Sequence, residues 1–304
     1  MHVFVTGGLG FVGRRLSEAL LEAGHTVTAS GRTSDPEMIV HPGFDYVAAD
    51  TTEPGPWQDR VKQADAVVNL AGVSIFGLWT EGRKKDMAES RILTTRNLAE
   101  ALADGKAGVL CSASAVGYYG SRGEDTLTEA EPPGEDFLAR LAVDWEKEAR
   151  AVETGGVRLA VARFGIVLDR SWGAMSMMVP VFRMVLGGTL GDGRQWFPWI
   201  HREDLVRAML FCLSRDDARG AFNFCAPEPV RNETLTKTLA NLLHRPAVIP
   251  APETVVSTAL GELGDALLSS QRAVPERLKS LGFDFRFPDL RSALEEIVGK
   301  ERES

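Results

Sequence analysis

This 304-residue sequence predicts an α/β fold built on a doubly wound parallel sheet. Three observations carry the prediction. The chain opens on an apolar run, Val3-Phe4-Val5, which enters a glycine cluster at Gly7, Gly10 and Gly13. It leaves that cluster in an apolar-periodic segment (Leu16, Ala19, Leu20, Leu21, Ala23) closed by Gly24. Short apolar segments then alternate with helical ones as far as Leu168, where Met- and Gly-rich sequence and a proline-punctuated remainder take over. The pattern is that of a Rossmann-type sheet with a small, mostly helical C-terminal substrate lobe. Residues 1–168 and 201–226 are assigned to the dinucleotide-binding domain, 169–200 and 227–298 to the lobe, and 299–304 to a disordered tail.

Each element follows in order. Strand, tight turn and helix over the first two dozen residues form the opening of a dinucleotide-binding unit. Gly7 suits the turn off the strand, Gly10 lets backbone approach a pyrophosphate, and Gly13 lets the helix pack close. Phe11 and Val12 begin that helix, whose free N–H groups and dipole favour an anion. His25 to Ser30 is a second strand, with Gly31 and Arg32 at its end, where an acid would select NAD; a basic residue with no acid suits a 2′-phosphate, so the expected cofactor is NADP(H). The alternative for Arg32 is a solvated surface side chain. Phe44 to Asp50 is a third strand whose terminal acid could cap the adenine edge. Asp65 to Gly72 is a fourth, with Leu70, Ala71 and Gly72 small enough to lie against the cofactor. Lys84 to Leu102 reads as a helix, and Gly108 to Ser112 as a fifth strand. The hydroxyl cluster Ser114, Tyr118 and Tyr119 follows at its carboxyl end, where such sheets bind ligands. Arg122 to Gly134 reads as a loop, Phe137 to Val152 as an amphipathic helix, and Val157 to Arg163 as a sixth strand. Val167, just beyond, belongs near the nicotinamide end. The methionines at 175–184 fit either core or a flexible pocket wall. Asp204 to Leu213 and Ala221 to Cys225 return a helix and a strand to the sheet.

Composition narrows the function classes. The chain is 44% hydrophobic and 25% charged, with 34 basic against 42 acidic residues and a net charge of −8. No basic block occurs, which disfavours nucleic acid and anionic membrane as partners. Three widely spaced cysteines in apolar runs read as buried hydrophobes, not as a disulfide framework or a metal site. No apolar run approaches the ~18 residues of a spanning helix, and the first strand starts at residue 2. A cytoplasmic protein acting on a small molecule is the expectation.

Thr6-Gly-Gly-Leu-Gly-Phe-Val-Gly13, Asn69-Leu-Ala-Gly72, Ser112-Ala-Ser114 with Tyr119-Gly120, and Trp199-Ile-His-Arg-Glu-Asp204 resemble the extended short-chain dehydrogenase/reductase family of nucleotide-sugar epimerases and dehydratases. The resemblance covers nearly the whole chain and is closest to the epimerase-like subfamily, marked by Arg163-Phe-Gly-Ile-Val-Leu168, Gly187 to Gln195, Pro229-Val-Arg-Asn232 and the block from Ser270 to Pro288. It implies an NADP(H)-dependent oxidoreductase or epimerase, with Ser114 holding the substrate oxygen. Dimerisation through the helices at 84–102 and 137–152 is a further implication, which the apolar face at 137–149 permits. Family enzymes carry Tyr-x-x-x-Lys on the helix after strand five, the phenol shuttling the proton and the lysine holding the ribose. Here Phe137 and Leu141 stand in those places and read as packing. Tyr119 or Tyr118 would then replace the acid/base, and Arg91 would replace the lysine as a cofactor anchor, unless it is a surface arginine paired with Glu89 or Asp86. His201 matches a structural motif of the family and is a weaker catalytic candidate. The alternative to catalysis is an inactive NADP(H)-binding protein that reports redox state to a partner.

Overall fold

The structure is a computed structural model that describes residues 1–34, 37–170, 172–247 and 249–299. Of the tail expected at 299–304, residues 300–304 lie outside the described residues. Strand β1 (His2–Thr6) leads into helix α1 (Phe11–Glu22), β2 (Thr26–Gly31), β3 (Phe44–Ala48), α2 (Trp57–Lys62) and β4 (Ala66–Asn69). Then come α3 (Glu81–Ala103), β5 (Val109–Ala115), the two-residue strand β6 (Thr126–Leu127), α4 (Phe137–Arg150) and β7 (Arg158–Phe164). The second half runs through β8 (Ile166–Leu168), α5 (Ala174–Arg183), β9 (Trp196–Phe197), β10 (Trp199–His201), α6 (Arg202–Ser214) and β11 (Gly220–Phe224). It closes with β12 (Val230–Arg231), α7 (Asn232–Leu243), α8 (Glu253–Leu260), α9 (Glu262–Leu268), β13 (Arg272–Ala273), α10 (Glu276–Ser280) and α11 (Leu290–Gly299).

Seven parallel strands form the central sheet in the order β11-β7-β5-β4-β1-β2-β3. The order reverses between β1 and β4, which opens a crevice beyond their carboxyl ends. Val3, Phe4 and Val5 are all fully buried, so β1 reads as an unbroken apolar run. Val3 and Val5 join a core with Leu16, Leu20 and Met209 on one face, while Phe4 joins Trp57, Leu98 and Leu102 on the other.

The strands and long helices read from the sequence are present, with ends moved by a few residues. The third helix starts at Glu81 because Thr80 caps it, its side chain accepting from the Arg83 N–H. The segment 122–134, expected to be a loop, contains β6, which pairs with β13 from the far end of the chain; two residues are too short to show a period. In the lobe, α5, α7 and α11 pack around Met175, Phe182, Trp199, Leu235 and Leu294. The methionines differ in burial. Met175 is in that core, while Met177 and Met184 are exposed. Among the described residues no helix is long and apolar enough to cross a membrane.

Candidate functional site

The crevice begins at the loop between β1 and α1. Gly7 takes φ +63°, the left-handed value that turns the chain off the strand. A side-chain carbon at Gly13 would lie 2.1 Å from the Gly7 carbonyl oxygen, so α1 can approach the loop this closely only as glycine. Gly10 differs: a carbon there meets nothing nearer than the same oxygen, at 3.1 Å. Its outer side is open. Gly10 caps α1 without a side-chain bond, and the first turn holds no acid, so the free N–H groups and the positive end of the dipole face the crevice. The Phe11 ring stacks on Trp172 and lies under the Arg202 guanidinium, so Phe11 offers its backbone rather than its ring. Val12 packs against the α1 core. A carbon added at Gly173 would meet both Val167 O (3.2 Å) and the Phe11 ring (3.6 Å), which places Val167 at the same end of α1.

The opposite lip is the chain leaving β4. Gly7 approaches Leu70 so closely that a carbon on it would lie 3.1 Å from the Leu70 oxygen. The Thr6 hydroxyl donates to Asn69 Oδ1 (2.7 Å) and accepts from the N–H groups of Leu70 (3.0 Å) and Ala71 (3.1 Å). Asn69 Nδ2 donates to Thr95 Oγ1 (2.8 Å), which also receives the Trp145 indole N–H (2.9 Å). One buried chain of hydrogen bonds therefore ties β1 to β4, α3 and α4 and fixes the backbone at 70–71. No signal of it is legible beforehand, since single polar residues inside apolar segments reveal no partner.

Arg91 stands against Gly72, with Cζ 3.1 Å from where a Gly72 side chain would start. It does not pair with Glu89 or Asp86. Its Nη1 donates to the Met87 carbonyl (3.0 Å), and the guanidinium lies 5.3 Å from the Trp145 ring centroid. Burial pushes its pKa down to about 10, and among the described residues no carboxylate offsets this. A cation enclosed without a counter-ion beside an open lip fits an anionic ligand. At the end of β2, Arg32 is exposed, and Asp50 lies within its field. The Asp50 carboxyl is held below its usual range chiefly by the Thr52 hydroxyl and N–H (2.7 and 3.0 Å), with a smaller pull from Arg32. Gly31 packs under Tyr46, whose hydroxyl donates to the Thr33 carbonyl (2.8 Å).

The catalytic candidates are arranged differently from expectation. Ser114, at the carboxyl end of β5, is 2% exposed and donates to Glu146 Oε1 (2.8 Å). Arg163 grips the same carboxylate through Nε and Nη2 (2.8 and 2.9 Å). Its Nη1 donates to the Tyr119 hydroxyl (2.9 Å), which in turn donates to Asn223 Oδ1 (2.7 Å). Tyr119 is fully buried, and desolvation pushes its phenol up to about 12 despite Arg163. The hydroxyl thus gives its proton to Asn223 and accepts one hydrogen bond from Arg163, both inside the protein. Tyr118 lies under the Arg163 guanidinium, 3.5 Å from its ring centroid. It lines a cavity of about 410 Å³ with Glu129, Arg150 and Arg277, to which no glycine-loop residue contributes. Leu141 is buried, and Phe137 packs edge-on to Trp79 (5.5 Å), as the packing reading requires. His201 caps α6, accepting from the Glu203 N–H, and its other ring nitrogen meets Glu296 (3.2 Å). Its position is structural.

With this geometry in hand, likeness to known proteins is extensive. Residues 3–225 match the model of the NAD dependent epimerase/dehydratase family, and residues 251–297 match a domain of unknown function, DUF1731. The chain is 37% identical over 302 residues to the epimerase family protein SDR39U1 homolog, chloroplastic, of Arabidopsis thaliana, covering 98% of this chain and 87% of that one. It is 37% identical over 305 residues to epimerase family protein YfhF of Bacillus subtilis, covering 99% of each. The crystal structure of human epimerase family protein SDR39U1 (isoform 2) with NADPH superposes with a TM-score of 0.88 at 33% identity, covering 98% of this chain and 99% of that one. MoeE5 in complex with UDP-glucuronic acid and NAD, at 21% identity and a TM-score of 0.81, covering 100% of this chain and 99% of that one, shares the fold.

Proposed function

Because the chain belongs to the NAD dependent epimerase/dehydratase family, we propose that it is an NADP(H)-binding epimerase-like protein whose site departs from Tyr-x-x-x-Lys. The observation that carries the cofactor choice is the pair Gly31–Arg32 at the end of β2, a cation in the place where an acid would select NAD. The α1 N–H groups behind Gly7, Gly10 and Gly13 would hold the pyrophosphate, and Arg32 the 2′-phosphate. Asp50 would face the adenine edge, Leu70 to Gly72 and Val167 would flank the nicotinamide half, and Arg91 would anchor ribose or phosphate in place of the absent lysine. The NADPH in the human relative supports this choice. When bound, the nicotinamide supplies or accepts a hydride. Ser114, its proton directed at Glu146, would present lone pairs to a substrate hydroxyl.

A second reading, cofactor binding without turnover, is favoured by one observation: the buried Tyr119 hydroxyl is bonded to Arg163 and Asn223 within the protein. Calorimetric titration with NADPH and NADH tests the shared part. Wild type is expected to bind NADPH in the micromolar range or tighter, and Arg32→Asp to weaken NADPH by roughly tenfold or more while changing NADH little. Equal losses, or no binding of either, would sink the assignment. Oxidation of bound NADPH across a panel of carbonyl compounds and sugar nucleotides then separates the two readings. Turnover lost in Ser114→Ala supports catalysis, and binding without turnover supports the regulatory protein.

A further inference from the structure

Helices α8 and α9 form a hairpin held together largely by its own contacts. Gly261 joins them at φ +57°. Gly264 brings α9 so close to α8 that a carbon on it would lie 2.5 Å from the Val256 carbonyl oxygen. Val256 and Leu263 are buried, and the Ser257 hydroxyl donates to Asp265 (2.7 Å). The chain is anchored on both sides, before the hairpin to the lobe and after it to the dinucleotide-binding half. Before the hairpin, Ala251 N–H donates to Thr189 O (2.8 Å) and Gly191 N–H donates to Ala251 O (2.9 Å). After it, Ser270 N–H donates to Ser121 Oγ (3.1 Å) and Ser270 Oγ to Gly123 O (2.8 Å).

Between those anchors the hairpin reaches the dinucleotide half. Lys84 Nζ donates to Glu262 Oε1 at 2.9 Å and also meets Glu81 at 2.7 Å. The same ammonium lies 5.7 Å from the centroid of Phe137, the residue in the place of the family's tyrosine, with Trp79 packed edge-on to that ring. In a parallel βαβ unit each helix starts at the carboxyl edge of the sheet, so the first turns of α3 and α4 stand at the edge where the glycine crevice opens. The ion pair thus spans from the lobe to the mouth of the crevice.

We propose that the α8–α9 hairpin is a lid on this crevice, latched by the Lys84–Glu262 ion pair. Closure places Lys84 against Phe137 and covers the end of the crevice where the substrate would enter; opening breaks the ion pair to α3, whose acid is half exposed, and lifts Leu268 off Gly191, with rotation of the chain at 252 and 269. Such a pair shifts an equilibrium by only about twofold to fivefold, which suits a latch that must open whenever ligand passes. The inference rests on the reading of the crevice as the cofactor site, but its first test does not.

Hydrogen exchange of the full chain without cofactor reads the lid directly. Lys84→Met and Glu262→Gln are each expected to raise exchange across 252–269 by about twofold to fivefold while the central sheet stays protected. The double variant should show no more than the larger single effect, because both singles remove the same contact. Unchanged exchange in either single variant, or additive effects in the double, overturns the latch. Added NADPH should slow exchange in this segment and leave the latch variants sooner than wild type. If the variants behave as expected and NADPH does not bind, the cofactor assignment fails and the lid stands. If NADPH binds and exchange is indifferent to both substitutions, the lid fails alone.

Discussion

The glycine loop between β1 and α1 and the polar cluster joining β5, α4 and β7 lie at the same edge of the sheet, yet one is almost wholly backbone and the other almost wholly side chain. In the loop, every decisive contact is made within thirteen residues: a turn at Gly7, an open shoulder at Gly10 and a close approach at Gly13. In the cluster, Arg163 and Glu146 are nearly fully buried, and the chain of bonds runs on through Tyr119 to Asn223, 104 residues away. Shape governs the first, by excluding side chains. Charge governs the second, where desolvated ions persist only because each is paired and hydrogen-bonded. The loop can therefore be altered with little loss of fold, whereas the cluster cannot lose one member without stranding another.

The largest expected effect breaks the cluster. Glu146→Leu leaves the Arg163 cation without its bidentate partner and should cost about 3–5 kcal/mol in urea-induced unfolding. Adding Arg163→Met should recover most of that. A cost below about 1 kcal/mol for the single change would mean that the cluster is not the brace described. A smaller loss of stability, about 1–3 kcal/mol, is expected for Gly13→Ala, which forces α1 off the Gly7 carbonyl. Its larger consequence should be lost NADPH binding with an unchanged far-ultraviolet spectrum; retained affinity would show that the loop yields more than its contacts imply. The smallest effect is spectroscopic. Burial raises the Tyr119 phenol to about 12 from an ordinary 10.0. Its contribution to stability is thus complete below pH 10.0 and lost as pH rises towards about 12, since the unfolded chain gives up its proton first. Phenolate absorbance of the folded protein up to about pH 11 should be the same in wild type and Tyr119→Phe. A smaller signal in the variant would mean that Tyr119 is reachable after all.

The same contrast explains what could be read in advance. The glycine loop, the parallel sheet implied by alternating elements and the Gly31–Arg32 pair were legible because each depends on near neighbours or on periodicity. Arg91 was legible as an oddity, a cation where relatives carry something else, but not its enclosure by Gly72 and Trp145. The inward bonding of the Tyr119 hydroxyl was not legible, for a physical reason. Residues directly after a strand point to either side of the sheet edge, and only Asn223 and Arg163, far off in sequence, decide that this phenol turns inward. Glu146 looked like one polar position on an amphipathic helix. Nothing local distinguishes a carboxylate facing solvent from one facing a buried guanidinium.

Gly31 bears on how such a protein could change its cofactor over time. The residue that selects NAD is an acid at this position, yet a first side-chain carbon there would come 2.9 Å from the Tyr46 hydroxyl. That hydroxyl is held by the Thr33 carbonyl on the same stretch of chain. Installing the acid thus displaces a neighbouring strand's tyrosine and loosens the segment that carries Arg32. A switch of preference at position 31 therefore carries a shift of the Tyr46 hydroxyl off the Thr33 carbonyl with it.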